Sequence, residues 1–144
     1  MTAKNFHEVI RLICKDDPRY EIGAYFFIRQ ALDHTITAIR RKEEQGPQRH
    51  VSGQQLCEGI REYALEQYGP MTHTLFENWG LHSTEDFGQI VFNLVEFGVF
   101  GKTETDSLKD FEGVYDFRSA FSEPFQPSRI YQQETPQRVG RHPD

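Results

Sequence analysis

The sequence contains only two cysteines, Cys14 and Cys57, among 144 residues, and no long apolar run. Both cysteines fall on apolar stripes of predicted helices, where a small buried thiol is the usual role, so neither a disulfide nor a catalytic thiol is expected. Apolar runs of a few residues are too short for a membrane-spanning helix. Residues 1–5 lack the apolar stretch of a signal peptide, and the sequence therefore predicts a cytoplasmic protein that does not contact a membrane.

The spacing patterns of common catalytic and metal sites are also missing. The six histidines do not stand three to five residues apart with a third ligand nearby, so no zinc site or other metal site is expected. The sequence has no glycine-rich phosphate loop and no Gly-x-Ser-x-Gly turn that would activate a serine. These absences predict a protein that needs no cofactor and is not an enzyme.

Charged and aromatic residues, in contrast, are abundant. They make up 26% and 13% of the chain, whose 16.9 kDa is enough for one soluble domain with its own core. Residues 52–126 hold four Lys/Arg against thirteen Asp/Glu, whereas a basic cluster, 40–42 with Arg49 and His50, directly precedes them. The acidic part would repel a polyanion, and the basic cluster would attract one.

The spacing of apolar residues predicts a mainly α fold. Five segments have helical periodicity: 4–15, 21–44, 52–68, 70–79 and 84–97. Ser52 and Gln55 have the spacing of a capping box, in which each side chain accepts a hydrogen bond from the main chain of the other residue. The segment 84–97 is apolar nearly all round, so we expect it to lie at the centre of a compact helical domain.

Two interpretations are open for the segment after this central helix. Residues 98–103 and 113–117 have the composition of short strands, which would finish the domain with a small winged-helix-like β-hairpin. Alternatively, Thr105 or Asp106 caps a helical turn that continues through Phe111.

The C-terminal part combines an aromatic repeat with a polar tail. Phenylalanine recurs every fourth residue at positions 117, 121 and 125, which predicts a short helix, capped by Asp116, that lays an aromatic ridge on the domain. Residues 126–144 are rich in proline and polar residues and are predicted to form a flexible tail. The chain is therefore predicted to be a single helical domain over residues 1–125, followed by this tail.

A candidate anion-binding site lies at the start of the third helix, at Arg49, His50, Ser52 and Gly53. Arg49 and His50 are two potential cations directly before a helix N-terminus, whose unpaired amides and positive dipole end favour an anion. Gly53 would let a ligand approach the backbone closely. The competing interpretation is ordinary capping by Ser52 with an ion pair from Arg49 to an acidic residue, which leaves His50 unexplained.

The aromatic residues include a candidate partner-binding set, Tyr25, Phe26, Trp79 and Phe100. Aromatic side chains beyond what one small core needs commonly anchor protein partners. The competing interpretation is a phenylalanine-rich core in which all four are covered. Burial of the four side chains in a structure would discriminate between the two interpretations.

These features favour a non-enzymatic, cytoplasmic interaction module that binds a protein partner. The alternative is a winged-helix-like regulator whose basic segment, 40–50, contacts nucleic-acid phosphates. Binding of a duplex by the acidic helix 84–97 is disfavoured, because Lys and Arg provide most nucleic-acid affinity. Salt-dependent retention on heparin or DNA would support the regulator, and co-purification with one protein at high salt would support the module.

Several stretches of the sequence resemble a small family of conserved hypothetical bacterial proteins known chiefly from planctomycetes and verrucomicrobia. The resemblance covers roughly residues 5–125 and implies a bacterial cytoplasmic protein of about this length. It implies no activity, cofactor or functional residue. The stretches that carry it are Asp17-Pro18-Arg19-Tyr20, Ala24-Tyr25-Phe26-Phe27, Arg49-His50-Val51-Ser52-Gly53, Gly59-Ile60-Arg61-Glu62-Tyr63-Ala64, Gly69-Pro70, Glu85-Asp86-Phe87-Gly88 and Ile90-Val91-Phe92-Asn93-Leu94-Val95.

Overall fold

The computed structural model of the protein describes residues 5–43, 51–100 and 108–126. These ranges contain helices and turns but no β-strand, which confirms the predicted mainly α class. None of the helices in these ranges is long and apolar enough to cross a membrane. The α-helices are α1 (Phe6–Asp16), α2 (Ile22–Glu43), α3 (Gly53–Tyr68), α4 (Thr72–Asn78) and α5 (Thr84–Glu96).

Side-chain caps fix the starts of α1 and α3. The Asn5 side chain accepts a hydrogen bond from the Glu8 amide (2.8 Å) and so satisfies one of the unpaired donors of the first turn of α1. At α3, Ser52 Oγ accepts from the Gln55 amide and Gln55 Oε1 accepts from the Ser52 amide, both at 3.0 Å. The capping box predicted from the sequence is therefore confirmed.

A close contact between glycine and threonine joins α2 to α3. Gly59 of α3 lies directly against Thr35 of α2, and a Cβ atom at Gly59 would overlap the Thr35 hydroxyl. Thr35 is buried, and its Oγ1 donates to the carbonyl of Ala31 (2.8 Å), so the hydroxyl is satisfied within α2. The two longest helices therefore pack closely at this point because Gly59 has no side chain.

Helix α5 is buried along one face and exposed along the other. Its core face packs against α2, α3 and the turn at 108–111, and contributes buried Phe87, Ile90 and Leu94. On the opposite face, 44% of the Phe92 side chain is exposed. The prediction of a central apolar helix is therefore right for the core face and wrong for Phe92, since α5 covers the core from one side.

The predicted strand at residues 113–117 is wrong, because α5 takes its main-chain hydrogen bonds. Thr84 Oγ1 donates to the Phe111 carbonyl (2.6 Å) and accepts from the Val114 amide (3.2 Å). The Glu85 carboxylate accepts from the Gly113 amide (3.2 Å). The first turn of α5 thus holds residues 111–114 as a turn and binds main-chain groups that a β-ladder would need.

The alternative interpretation, a helical turn, is confirmed for Leu108–Phe111, which form one turn of 3₁₀ helix. Its two predicted caps, Thr105 and Asp106, lie outside the described residues. The other proposed strand, 98–103, lies partly outside them as well, and its described part is not a strand. The described residues therefore contain no winged-helix-like hairpin.

The predicted aromatic ridge is shorter than the sequence spacing suggests. Asp116 caps the segment as predicted, because its carboxylate accepts from the Ser119 amide (3.1 Å). A π-helical turn (Arg118–Ser122) places Phe117 and Phe121 side by side in the core. The chain then tightens into a 3₁₀ turn, so that Phe125 rotates off this face, with 39% of its surface exposed.

Phe76 of α4 lies at the centre of an aromatic cluster that joins α4 to α2, α5 and the π-helical turn. Its side chain is fully buried. The rings around it have centroids 5.1–6.1 Å from its own, within the range of favourable aromatic pairs. They belong to Phe27, Trp79, Phe87, Phe117 and Phe121.

Candidate functional site

The predicted anion-binding residues are only partly within the described residues. Arg49 and His50 lie outside them. Ser52 caps α3, and Gly53 is buried against the turn at 108–111: a Cβ atom at Gly53 would lie 2.8 Å from Asp110 Cβ and 3.0 Å from the Asp110 carbonyl oxygen. The space beside the Gly53 backbone, which was predicted to admit a ligand, is therefore filled by Asp110. Anion binding by Arg49 and His50 stays a prediction.

The predicted partner-binding aromatics do not form one exposed patch. Tyr25 and Phe100 are buried, so these two belong to the core. Phe26 is half-buried, with the Phe6 ring at 5.0 Å. Trp79 is also half-buried, and its indole covers Gly23 of α2 so closely that a Cβ atom there would lie 2.5 Å from the ring nitrogen. Most of the aromatic surface is thus used for packing within the domain.

A polar network that the sequence did not reveal connects the loop before α2 with α5. The Asp17 carboxylate accepts from Arg19 Nε (2.8 Å) and Nη2 (2.7 Å), and from Asn93 Nδ2 (2.9 Å). These bonds, the Arg19 pair first, hold the pKa of Asp17 well below its usual value. The Asn93 amide also donates to the Tyr25 hydroxyl (2.9 Å), and burial raises the pKa of Tyr25 to about 12.

A second part of this network ties the same loop to the start of α5. The Tyr20 hydroxyl donates to Asp86 Oδ1 (2.5 Å), while Asp86 Oδ2 accepts from the amides of His82 (2.8 Å) and Ser83 (3.2 Å). Burial, followed by the Asp86 bond, raises the pKa of Tyr20. Because these groups bond to one another, the network fastens the α1–α2 loop onto α5 and is structural in character.

We expect Asp17→Asn to lower the free energy of unfolding at pH 7 by about 1–2 kcal/mol, because it removes a charged acceptor that serves two partners. Since folding lowers the pKa of Asp17, its contribution is present above the unfolded pKa of about 4 and is lost as the pH falls from there through the folded pKa. Urea unfolding between pH 2.5 and pH 7 should therefore show a shallower acid loss for Asp17→Asn than for wild type. Equal slopes, or an equal effect of Asp16→Asn at the exposed neighbouring position, would contradict this role.

A histidine, a serine and a carboxylate meet between α4 and the π-helical turn. His73 Nδ1 shares a hydrogen bond with Ser122 Oγ (2.6 Å), and His73 Nε2 lies 3.4 Å from the Glu77 carboxylate. Serine hydrolases also place a histidine between a serine and a carboxylate, but there Nε2 bonds to the serine and Nδ1 to the carboxylate, the reverse of the arrangement here. Here the Glu77 side chain is 58% exposed, so water competes for the carboxylate that would have to stabilise a charged imidazole. The contact fastens the C-terminal turn to α4.

The two cysteines differ in their surroundings. Cys57 is buried in α3, and burial raises the pKa of its thiol to about 12, which fits the predicted buried thiol. Cys14 is only half-buried and lines an open groove of about 740 Å³ beside α1, between the cations Arg11 and Lys15 and the acid Glu8. Burial is the main cause that raises the pKa of Cys14, so neither thiol is activated as a nucleophile.

The valley between α2 and α3 forms a cavity of about 350 Å³. Its α3 side carries mainly polar and acidic side chains, and its α2 side includes the apolar Ala38 and Ile39. The lining residues are His34, Thr35, Ala38 and Ile39 of α2 and Gln54, Gln55, Glu58, Gly59 and Glu62 of α3. We call this cavity the α2–α3 groove. Its two carboxylates, Glu58 and Glu62, border a space that a ligand can enter, unlike the groups of the Asp17 network.

The α2–α3 groove is acidic along its α3 side. Glu58 and Glu62 stand one helical turn apart, and none of the described residues that line the groove is Lys or Arg. Glu58 is partly neutralised by Arg61, at 3.3 Å, which lies outside the lining. Glu62 is 65% exposed, and His34 Nε2 of α2 lies 4.0 Å from its carboxylate. The described residues contain no cluster of three or more ligands suited to a metal ion.

Comparison with known proteins does not assign a function to this site. No protein-family model matches the chain. No curated protein matches it, and no solved structure does. The family resemblance noted from the sequence stays a prediction, and the function has to be inferred from the geometry of the chain itself.

Proposed function

We propose that the protein is a non-enzymatic interaction module that binds a short segment of a protein partner in the α2–α3 groove. The observation that carries this proposal is the groove itself, which combines apolar groups on its α2 side with polar and acidic groups on its α3 side. Its volume of about 350 Å³ lies at the lower end of the range for ligand sites. A segment of a few residues, with one side chain inserted, fits this size.

The packing of the two helices supports a groove that exists before any partner binds. Gly59 and Thr35 hold α2 and α3 in close contact, and His34 of α2 lies 4.0 Å from Glu62 of α3 beside the same cavity. Helices positioned by such close packing change little on binding. The module would therefore lose little conformational entropy when a partner segment binds.

The proposal is tested by blocking the groove. Ala38 is half-buried on its α2 side, so Ala38→Trp places a large side chain in the space without removing a core residue. The ¹⁵N-labelled full chain is titrated with a panel of blocked pentapeptides of basic, neutral and acidic character. Shifts of the Gly59, Ala38 and Ile39 amide signals that are lost in Ala38→Trp would support the module, and the absence of groove shifts with every peptide would overturn it.

The proposed absence of catalysis makes a separate prediction at Ser122. We expect no covalent labelling of the full chain by a fluorophosphonate probe, because the Glu77 carboxylate is too exposed to support His73 as a base toward Ser122. Intact-mass spectrometry after incubation with a tenfold excess of probe measures this. Labelling that disappears in Ser122→Ala, with the fold retained, would show an activated serine and contradict the non-enzymatic proposal.

The alternative function, a nucleic-acid regulator, is tested by the same kind of titration. Arg40 and Arg41, on the last turns of α2, are exposed, while the rest of the basic segment lies mainly outside the described residues. Titration with a 16-base-pair DNA duplex would shift the Arg40 and Arg41 signals and weaken steeply with salt if this segment binds phosphates. Such a result, without groove shifts from peptides, would favour the regulator.

A further inference from the structure

We propose that the α2–α3 groove recognises a cation on an aliphatic stem, namely the side chain of a lysine or arginine in the partner segment. This inference rests on the proposed function and adds the chemical class of the occupant. It is drawn from the charge complementarity and the shape of the groove, which offers carboxylates on one side and small apolar groups on the other.

The α2 side of the groove suits a chain of methylene groups. Ala38 and Ile39 present only carbon atoms there, and the hydroxyl of Thr35 is already bonded to the Ala31 carbonyl within the helix. Lysine and arginine bury their methylene stems on such surfaces while the charged end stays near water. At Gly59 the two helices are already in contact, because Thr35 fills the space that a Cβ atom would take. The stem would therefore lie beside this contact, along Ala38 and Ile39.

The α3 side of the groove suits the charged end. Glu58 and Glu62 are separated by four residues, which brings their Cβ atoms to about 5–6 Å and allows both carboxylates to approach one ammonium or guanidinium group. Like charges at this spacing repel each other, so a bound cation also relieves a repulsion present in the free protein. An anionic segment would increase that repulsion.

Glu62 is expected to contribute more than Glu58 to recognition. The charge of Glu58 is offset by Arg61 at 3.3 Å, whereas Glu62 has the imidazole of His34 at 4.0 Å. The imidazole lies farther from the Glu62 carboxylate than Arg61 lies from that of Glu58, and its ring is held against Tyr63 at 5.1 Å between centroids. Glu62 is therefore the specificity-determining residue of the groove.

The experiment compares cations with neutral molecules of the same shape. The ¹⁵N-labelled full chain is titrated at low ionic strength with the acetyl and methylamide derivatives of lysine and arginine, and with those of norleucine and citrulline. We expect the lysine and arginine probes to shift the Gly59, Ala38 and Ile39 signals with millimolar affinity. The neutral probes should bind at least about threefold more weakly, since they lack the ion pair.

Charge removal on α3 identifies the residue responsible. Glu62→Gln should weaken lysine and arginine binding about three- to fivefold, the range for one exposed ion pair. Glu66→Gln removes the same charge from an exposed position on α3 that does not line the groove, and should leave binding unchanged. Both variants keep the helix, because glutamine and glutamate have similar helix propensities.

The outcomes separate this inference from the proposed function. Groove shifts that are equal for cationic and neutral probes, or equal losses in Glu62→Gln and Glu66→Gln, would overturn the recognition of a cation. If neutral or acidic pentapeptides still bound the groove in an Ala38-dependent manner, the interaction module would stand. If neither amino-acid probes nor pentapeptides shifted any groove signal, both proposals would be wrong.

Discussion

Replacing Phe76 with alanine is expected to lower the free energy of unfolding by about 3–5 kcal/mol, the usual cost of removing a buried phenylalanine. Phe76 is fully buried, and five aromatic rings surround it, so the vacated space would border several elements at once. The rigid rings around it can collapse only partly into that space. Urea unfolding followed by far-ultraviolet circular dichroism measures the loss.

The matched control is Phe125→Ala, because Phe125 has the same side chain but lies at the surface of the last turn, outside the cluster around Phe76. We expect this change to alter stability by about 0.5 kcal/mol or less. If Phe76→Ala fails to fold, Phe76→Leu keeps most of the apolar volume and should give an intermediate loss. A loss for Phe76→Ala no larger than for Phe125→Ala would contradict the central position of Phe76.

Local sequence signals predict the helices well, because the features that start and end them lie within a few residues. The predicted segment 21–44 corresponds to α2 at Ile22–Glu43, and the capping box of Ser52 and Gln55 marks the start of α3. Apolar periodicity and caps act over one or two turns. These same signals failed where a residue from elsewhere in the chain takes the hydrogen bonds, as Thr84 does at residues 111–114.

The candidate site was missed for a related reason. Thr35 and Gly59 are 24 positions apart, and neither residue on its own predicts a close contact. Glu58 and Glu62 have the spacing of an ordinary solvent-facing side of a helix, which is the usual role of such residues. The sequence signal that could have pointed to the groove is Gly59 in the middle of an otherwise regular helix, since glycine weakens a helix and its presence there is consistent with close packing.

Aromatic residues that were predicted to form a docking surface are instead used mainly for packing within the domain. Trp79 covers Gly23, and the pair lets the residue that follows α4 pack closely on the start of α2, so the indole is used for packing. Tyr25 is buried but still finds a donor in Asn93, as a buried hydroxyl requires. Composition alone could not distinguish this arrangement from an exposed patch, because it does not show which glycines and amides lie opposite the rings.

Substitution of Gly59 has the second large expected effect, and it connects stability to the groove. A Cβ atom at this position would overlap the Thr35 hydroxyl, so Gly59→Ala forces α2 and α3 apart. Overpacking of this kind costs about 1–3 kcal/mol, which outweighs the roughly 1 kcal/mol that alanine gains over glycine in a helix. Urea unfolding of Gly59→Ala should therefore show a net loss, whereas Glu66→Ala on the exposed side of the same helix should show almost none.

A double-mutant cycle identifies the contact as the cause. Thr35→Ala removes the hydroxyl and methyl groups that the new Cβ atom would meet, although Thr35 Cβ would still lie 2.8 Å away. The double variant should consequently recover part of the loss, with an interaction energy of about 0.5–3 kcal/mol between the two positions. Additive effects would show that α2 and α3 do not meet at Gly59 and Thr35. In that case the α2–α3 groove would not exist as described, and binding of a partner segment there would lose its structural basis.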